Sequence, residues 1–99
     1  MMVYVDDAAV PMYGYTWFHL MADSVQELHA FAANIGIHKR AFHIGARHPH
    51  YDVTATQRRH AIRYGARPIS AREAVLLSRR VVSDEPHAIA QSPQLCLFV

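Results

Sequence analysis

Three capping boxes divide this chain, and they limit its possible folds more than any other feature. Ser24-Val25-Gln26-Glu27, Thr54-Ala55-Thr56-Gln57 and Ser70-Ala71-Arg72-Glu73 each place Glu or Gln three positions after a hydroxyl residue. In such a box the hydroxyl oxygen accepts from the N3 backbone N–H, and the N3 side chain reaches back to the first N–H. Each box therefore predicts a helix N-terminus. Val25, Leu28, Ala32 and Ile35 follow the first box at helical spacing and Gly36 supplies the C′ position, which predicts a helix over 25–35. The second box predicts a helix ending at Gly65, and the third a helix running to about Val81.

The segments between the boxes read as strands. Val3-Tyr4-Val5 is β-branched and aromatic and ends at Asp6-Asp7, predicting a strand over 2–6. Residues 8–14, with Pro11 and Gly14, read as a loop. Tyr15 to Met21 predicts a second strand, with Thr16, Phe18 and Leu20 on one face and Trp17 and His19 on the other. Ala41 to Ile44 and Arg67 to Ile69 supply a third and a fourth. Strands alternating with helices predict parallel pairing through right-handed crossovers. The expectation is an α/β fold: one compact domain over residues 1–82, three helices packed on a small, mostly parallel sheet of about four strands. Residues 83–99 change character, with Pro86, Pro93 and an apolar Leu95 to Val99. That tail is open to three readings: an edge strand, a cover for a helix face, or a partner contact.

A chain of 99 residues suits one domain. Cys96 is the single cysteine, so no internal disulfide forms and a reducing compartment is expected. No apolar run approaches a bilayer span, and the N-terminus has neither a basic n-region nor a long h-region, so a cytoplasmic protein without membrane contact is expected. The net charge of +2 conceals a strong segregation. Residues 1–38 carry Asp6, Asp7, Asp23 and Glu27 with no Lys or Arg, whereas residues 39–80 carry Lys39 and nine arginines against Asp52 and Glu73, a net +8. Arginine suits two-pronged recognition of phosphate or carboxylate. Codon usage in a GC-rich genome explains the same bias without function.

Chemistry is expected at Arg47-His48-Pro49-His50-Tyr51-Asp52-Val53-Thr54, read as a short loop opening onto a helix N-terminus. His48, His50 and Asp52 follow an H-x-H-x-D pattern. On extended backbone, alternate side chains share a face, so both imidazoles and the carboxylate could meet one divalent cation, zinc or manganese. The spacing resembles part of the H-x-H-x-D-H signature of metallo-β-lactamase-type hydrolases, although Val53 replaces the last His and the chain is too short for that fold. With no Cys in the cluster, a Cys-rich zinc site is excluded. A second reading needs no metal. The helix opening at Thr54 would favour an anion, with Arg47, Arg58 and Arg59 near in sequence, and His48 or His50 would move the proton.

In a parallel sheet the strand ends would bring Asp6, Asp7, Asp23, His43, His48, His50, Asp52 and Ser70 to one rim. If the first two strands instead form an antiparallel hairpin, Asp23 and Asp6 lie at opposite ends of the sheet. His19 is read either as a site residue or as a buried, hydrogen-bonded core histidine. Trp17 and Tyr15 are read as core in preference to a base-stacking platform, and His29 and His60 as residues of partly exposed helix faces.

The words Val3-Tyr4-Val5-Asp6-Asp7, His19-Leu20-Met21-Ala22-Asp23-Ser24, Glu27-Leu28-His29-Ala30-Phe31-Ala32, His48-Pro49-His50-Tyr51-Asp52 and Ser70-Ala71-Arg72-Glu73 resemble, over roughly residues 2–80, a small bacterial and phage family catalogued as domain of unknown function 4031. The resemblance implies a compact cytoplasmic domain and carries no activity or catalytic residues with it. From the residues themselves, the expected function is a small hydrolase or transferase acting on a phosphate-containing substrate, with or without a divalent metal. His48, His50 and Asp52 would be ligands or acid–base groups, assisted by Asp6 and His43. Arg47 would orient the phosphate, with Thr54 and Arg58 beside it. The alternatives are a non-catalytic nucleotide or nucleic-acid binder using residues 39–80 and an interaction module using the tail; a homodimer is compatible with each.

Overall fold

The computed structural model describes residues 2–44 and 48–84. All three boxes open helices: α1 (Val25–Asn34), α2 (Ala55–Arg63) and α3 (Ala71–Asp84). Ser24 Oγ accepts from the Glu27 N–H at 3.1 Å. The Thr54 and Ser70 boxes are closed in both directions, at 3.3 and 2.9 Å and at 3.0 and 3.1 Å. α1 and α2 also end alike. Gly36 (φ 80°) lets the Ile37 N–H return to the Ala32 carbonyl at 2.9 Å, and the Ala66 N–H returns to Ala61 at the same distance. All four of those returning residues are core residues, so each helix stop is also a packing contact.

The sheet corrects the expectation. Its strands are β1 (Val3–Val5), β2 (Val10–Met12), β3 (Tyr15–Ala22), β4 (Phe42–His43), β5 (His50–Thr54) and β6 (Arg67–Pro68). Their order is β4-β5-β3-β1-β6, with β2 also paired to β3. Six strands replace the expected four, and the sheet is mostly antiparallel: among the described residues only β1 and β6 pair in parallel. The reason lies in connection length. A parallel neighbour needs a crossover of about a dozen residues or more, and the chain between β1 and β3 holds only β2 and a tight turn. That turn is Tyr13-Gly14, with φ of 55° and 79°, the type I′ geometry that joins twisted antiparallel strands. The segment read as a loop over 8–14 therefore contains a short strand, β2, and the turn that follows it. Pro11 is tolerated because, among the described residues, β2 pairs on one side only, with β3. Two helical crossovers, β3 through α1 to β4 and β5 through α2 to β6, join strands of like direction that are not neighbours in the sheet, and the second lays β6 beside β1 as the one parallel pair among the described residues.

Alternation along β3 and β5 divides the molecule. Val5, Leu20, Tyr51 and Val53 point to one face, where Leu28 and Ala32 of α1 and Ala61 of α2 close over them. Tyr4 and Met21 point to the other face and pack with Ile69 and with Ala74 and Leu77 of α3. Among the described residues α3 packs at the β1–β6 side and on Met21, and the same face over the rest of β3, β5 and β4 carries His19, Asp52, His50 and His43. Among the described residues no helix is long and apolar enough to cross a membrane.

Candidate functional site

The register of the sheet builds the site. His19 on β3 is the cross-strand partner of Asp52 on β5, and His43 on β4 is the partner of His50. His50 and Asp52 are two residues apart on one strand and so share a face. Asp6 follows β1 where the ladder breaks before β2, and its N–H donates to the His19 carbonyl at 3.0 Å. Four strands thus converge on one patch. The stretch read as a loop is, from His50 onward, strand β5, and this regular alternation is what aims His50 and Asp52 together.

Asp6 is 2% exposed. Its Oδ1 accepts from the backbone N–H groups of His19 (2.8 Å) and Ala8 (3.3 Å), and its Oδ2 lies 2.7 Å from His19 Nδ1. Burial works to raise the Asp6 pKa. The hydrogen bonds from His19 and Ala8 and the imidazole charge outweigh it, and the carboxyl is held below its ordinary value. A carboxylate only accepts, so the proton of this contact sits on His19 Nδ1 and leaves Nε2 available. The hydrogen bond to Asp6 raises the His19 pKa; burial opposes, and the charges of Asp6 and Asp52 assist.

Asp52 stands among three imidazoles. Its Oδ1 is 3.2 Å from His50 Nε2 and its Oδ2 is 3.0 Å from His43 Nε2. Burial again pushes the carboxyl up, but the His50 hydrogen bond and the charges of His50, His43 and His19 bring it below its usual range. His50 Nδ1 is 3.0 Å from the His48 carbonyl oxygen, an acceptor only, so Nδ1 carries a proton there too. The rings pack closely: His19 lies edge-on to His50 at 5.0 Å, and His43 stacks on His50 at 5.5 Å.

The other expected site residues are placed as follows. The His48 ring lies 5.4 Å from that of His50. The Thr54 hydroxyl is taken up in capping α2. Arg58 donates Nε to the Asp6 carbonyl at 2.9 Å and sets its guanidinium over Phe18, on the helix-covered side of the sheet. Arg47 lies outside the described residues, as does the tail from residue 85. Asp7 and Ser70 serve the start of α3, where Asp7 Oδ1 accepts from the Ala71 N–H. Asp23 binds Met2 N and Tyr4 Oη at the far end of β1 from Asp6, as an antiparallel β1–β3 pair requires. His19 was absent from the expected ligand and acid–base set. Its signal was the alternation that put it opposite Phe18 and Leu20.

Fold and site together define a small α/β protein with an imidazole–carboxylate cluster on the partly uncovered face of a mixed sheet. The chain belongs to a family described as proteins of unknown function (DUF4031), whose model matches residues 3–81. No curated protein and no solved structure matches the chain.

Proposed function

We propose that the protein is a small hydrolase or transferase acting on a phosphate-containing substrate, with its chemistry at the His19–Asp6 pair and the adjoining His50, His43 and Asp52. The observation that carries this reading is the 2.7 Å contact between His19 Nδ1 and an almost wholly buried Asp6. A buried carboxylate that fixes the tautomer of a partly exposed imidazole is the arrangement of a general base: Nε2 can take a proton from water or a substrate hydroxyl, and the carboxylate stabilises the imidazolium that forms. His50 and His43 hold the Asp52 carboxylate from either side, next to the His19 ring. The net +8 of residues 39–80 supports an anionic substrate.

The test is turnover of p-nitrophenyl phosphate and of its diester by wild type, His19→Ala and Asp6→Asn. Loss of a general base lowers the rate by about 10²- to 10⁴-fold. Equal rates in His19→Ala and wild type would sink the reading. The non-catalytic alternative draws support from the exposed Arg40, Arg59, Arg63, Arg67 and Arg72. It requires that affinity for single-stranded oligonucleotide fall steeply with added salt.

A further inference from the structure

We infer that His19, His50 and Asp52 form a binding site for a divalent first-row transition ion, zinc foremost, held by two imidazoles and one carboxylate with a position left open for water. The ion would occupy the His19 Nε2 that the acid–base reading keeps for a proton, so the two roles belong to the metal-bound and the metal-free protein, and the inference stands whether or not a phosphate ester is turned over.

Proximity comes first. One ligand atom from each of the three residues lies within 4.8 Å of the other two. Two donors about 2.0–2.2 Å from a tetrahedral zinc are about 3.3–3.6 Å apart. The His50 Nε2 to Asp52 Oδ1 separation of 3.2 Å is already close to that edge length. The two remaining edges run to His19, the cross-strand partner of Asp52, whose ligand atom is already within 4.8 Å of both others.

The second argument concerns protons. His50 Nδ1 must donate to the His48 carbonyl, and His19 Nδ1 must donate to Asp6. In the neutral rings the lone pair is therefore on Nε2 in both cases. For His50 that lone pair meets a carboxylate oxygen, acceptor against acceptor, at 3.2 Å. Such a contact needs a positive centre between the atoms, either a proton or a cation. The outer partners are those that orient metal-binding histidines, a carboxylate for one ring and a backbone carbonyl for the other. His43 Nε2 occupies the second oxygen of Asp52 at 3.0 Å and leaves Oδ1 to the ion.

The donor set then selects the ion. Two imidazoles and a carboxylate with no thiolate suit zinc and its neighbours better than calcium or magnesium. Three protein ligands leave an open position, the mark of a reactive rather than a structural site. A dication also offsets the two carboxylates, Asp6 and Asp52, that would otherwise repel an anionic substrate.

The experiment titrates chelator-stripped protein with Zn²⁺ by calorimetry and with Co²⁺ by visible absorption. The expected result is one equivalent bound, with the intense d–d bands of four-coordinate cobalt. His19→Ala, His50→Ala and Asp52→Ala should each weaken binding at least about 100-fold, and Asp6→Asn by about 10- to 100-fold through loss of the outer partner. His38→Ala and His48→Ala should bind as wild type does. If His50→Ala unfolds, Asp52→Asn and His19→Gln, which keep side-chain volume, carry the same test. The inference is overturned if the wild-type protein takes up neither ion. It is equally overturned if binding survives at positions 19, 50 and 52 but is lost with His48, since the ion would then sit elsewhere. Ion binding without turnover would defeat only the hydrolase reading. Turnover by stripped protein that binds no ion would defeat only the metal site.

Discussion

The two sides of β5 differ by one residue and by an entire chemistry. Tyr51 and Val53 are shut into the helix-covered core, whereas His50 and Asp52 belong to the imidazole–carboxylate patch. Each side also holds a histidine bonded through Nδ1 at 2.7 Å, and the two are driven in opposite directions. His19 meets the buried carboxylate of Asp6, and its pKa rises. His29, on α1, meets the neutral Tyr51 hydroxyl and packs on Phe42; burial and the charge of Lys39 lower its pKa, and burial raises that of Tyr51. The same ring at the same distance has its protonated form favoured on one side and disfavoured on the other. The hydrogen bond to Asp6 decides the first case, and burial with the Lys39 charge decides the second.

The comparison can be broken most forcibly from the core side. Leu20→Ala empties a fully buried position and should cost about 4 kcal/mol by urea unfolding, with the same penalty at pH 5.5 and pH 8. Asp6→Ala on the other side should cost about 3 kcal/mol, because two backbone N–H groups and an imidazole lose a buried acceptor. Its penalty should depend on pH. Asp6 is lowered from 3.8, so its contribution is present above pH 3.8 and is lost as pH falls through the folded value. His19 is raised from 6.5, so its contribution is full below pH 6.5 and is lost as pH rises through the folded value. In metal-free protein the Asp6→Ala penalty should therefore peak between those limits and shrink towards pH 8. A penalty that grows with pH would break the assignment.

Titration of the imidazole protons by NMR, again without metal, sharpens the contrast further. His19 should titrate above pH 6.5 and His29 below it, and the reverse order would remove the distinction drawn between the two faces. Because His29 is lowered, its contribution is present above pH 6.5 and is lost as pH falls through its folded value, opposite in slope to His19. Tyr51→Phe should cost about 1 kcal/mol for the lost hydrogen bond. It should leave His29 titrating below pH 6.5, because burial and Lys39 remain. The smallest effect is expected at Ala9, exposed and at φ 52° in the break between β1 and β2. Ala9→Gly should change stability by less than about 0.5 kcal/mol, since relief of left-handed backbone strain and the added unfolded-state entropy nearly cancel.

Helix positions were legible in the sequence because capping is local: Ser24, Thr54 and Ser70 each need only the residue three positions on. Strand direction was not, because it depends on which strands meet, and that follows from connection length and from burial far along the chain. β2 was hidden by Pro11 and Gly14, ordinary loop markers that a one-sided strand and a type I′ turn also tolerate. β5 was hidden by its own polar residues. The alternation that suggested His50 and Asp52 share a face is the alternation of a strand, with Tyr51 and Val53 as its apolar half. Antiparallel pairing, not the parallel rim invoked for them, brings His43, Asp6, His50 and Asp52 into one neighbourhood and leaves Asp23, Asp7 and Ser70 outside it. The place of His19 could be read only once its register against Asp52 was known.

Asp6, His19 and Asp52 come from three strands that meet only through long-range pairing. No excised peptide, the 47–54 stretch included, can reproduce their arrangement. Assembly of the cluster must therefore wait for the slow, non-local closure of the sheet, and a spectroscopic signal from it during refolding would time the last stage of folding rather than the first.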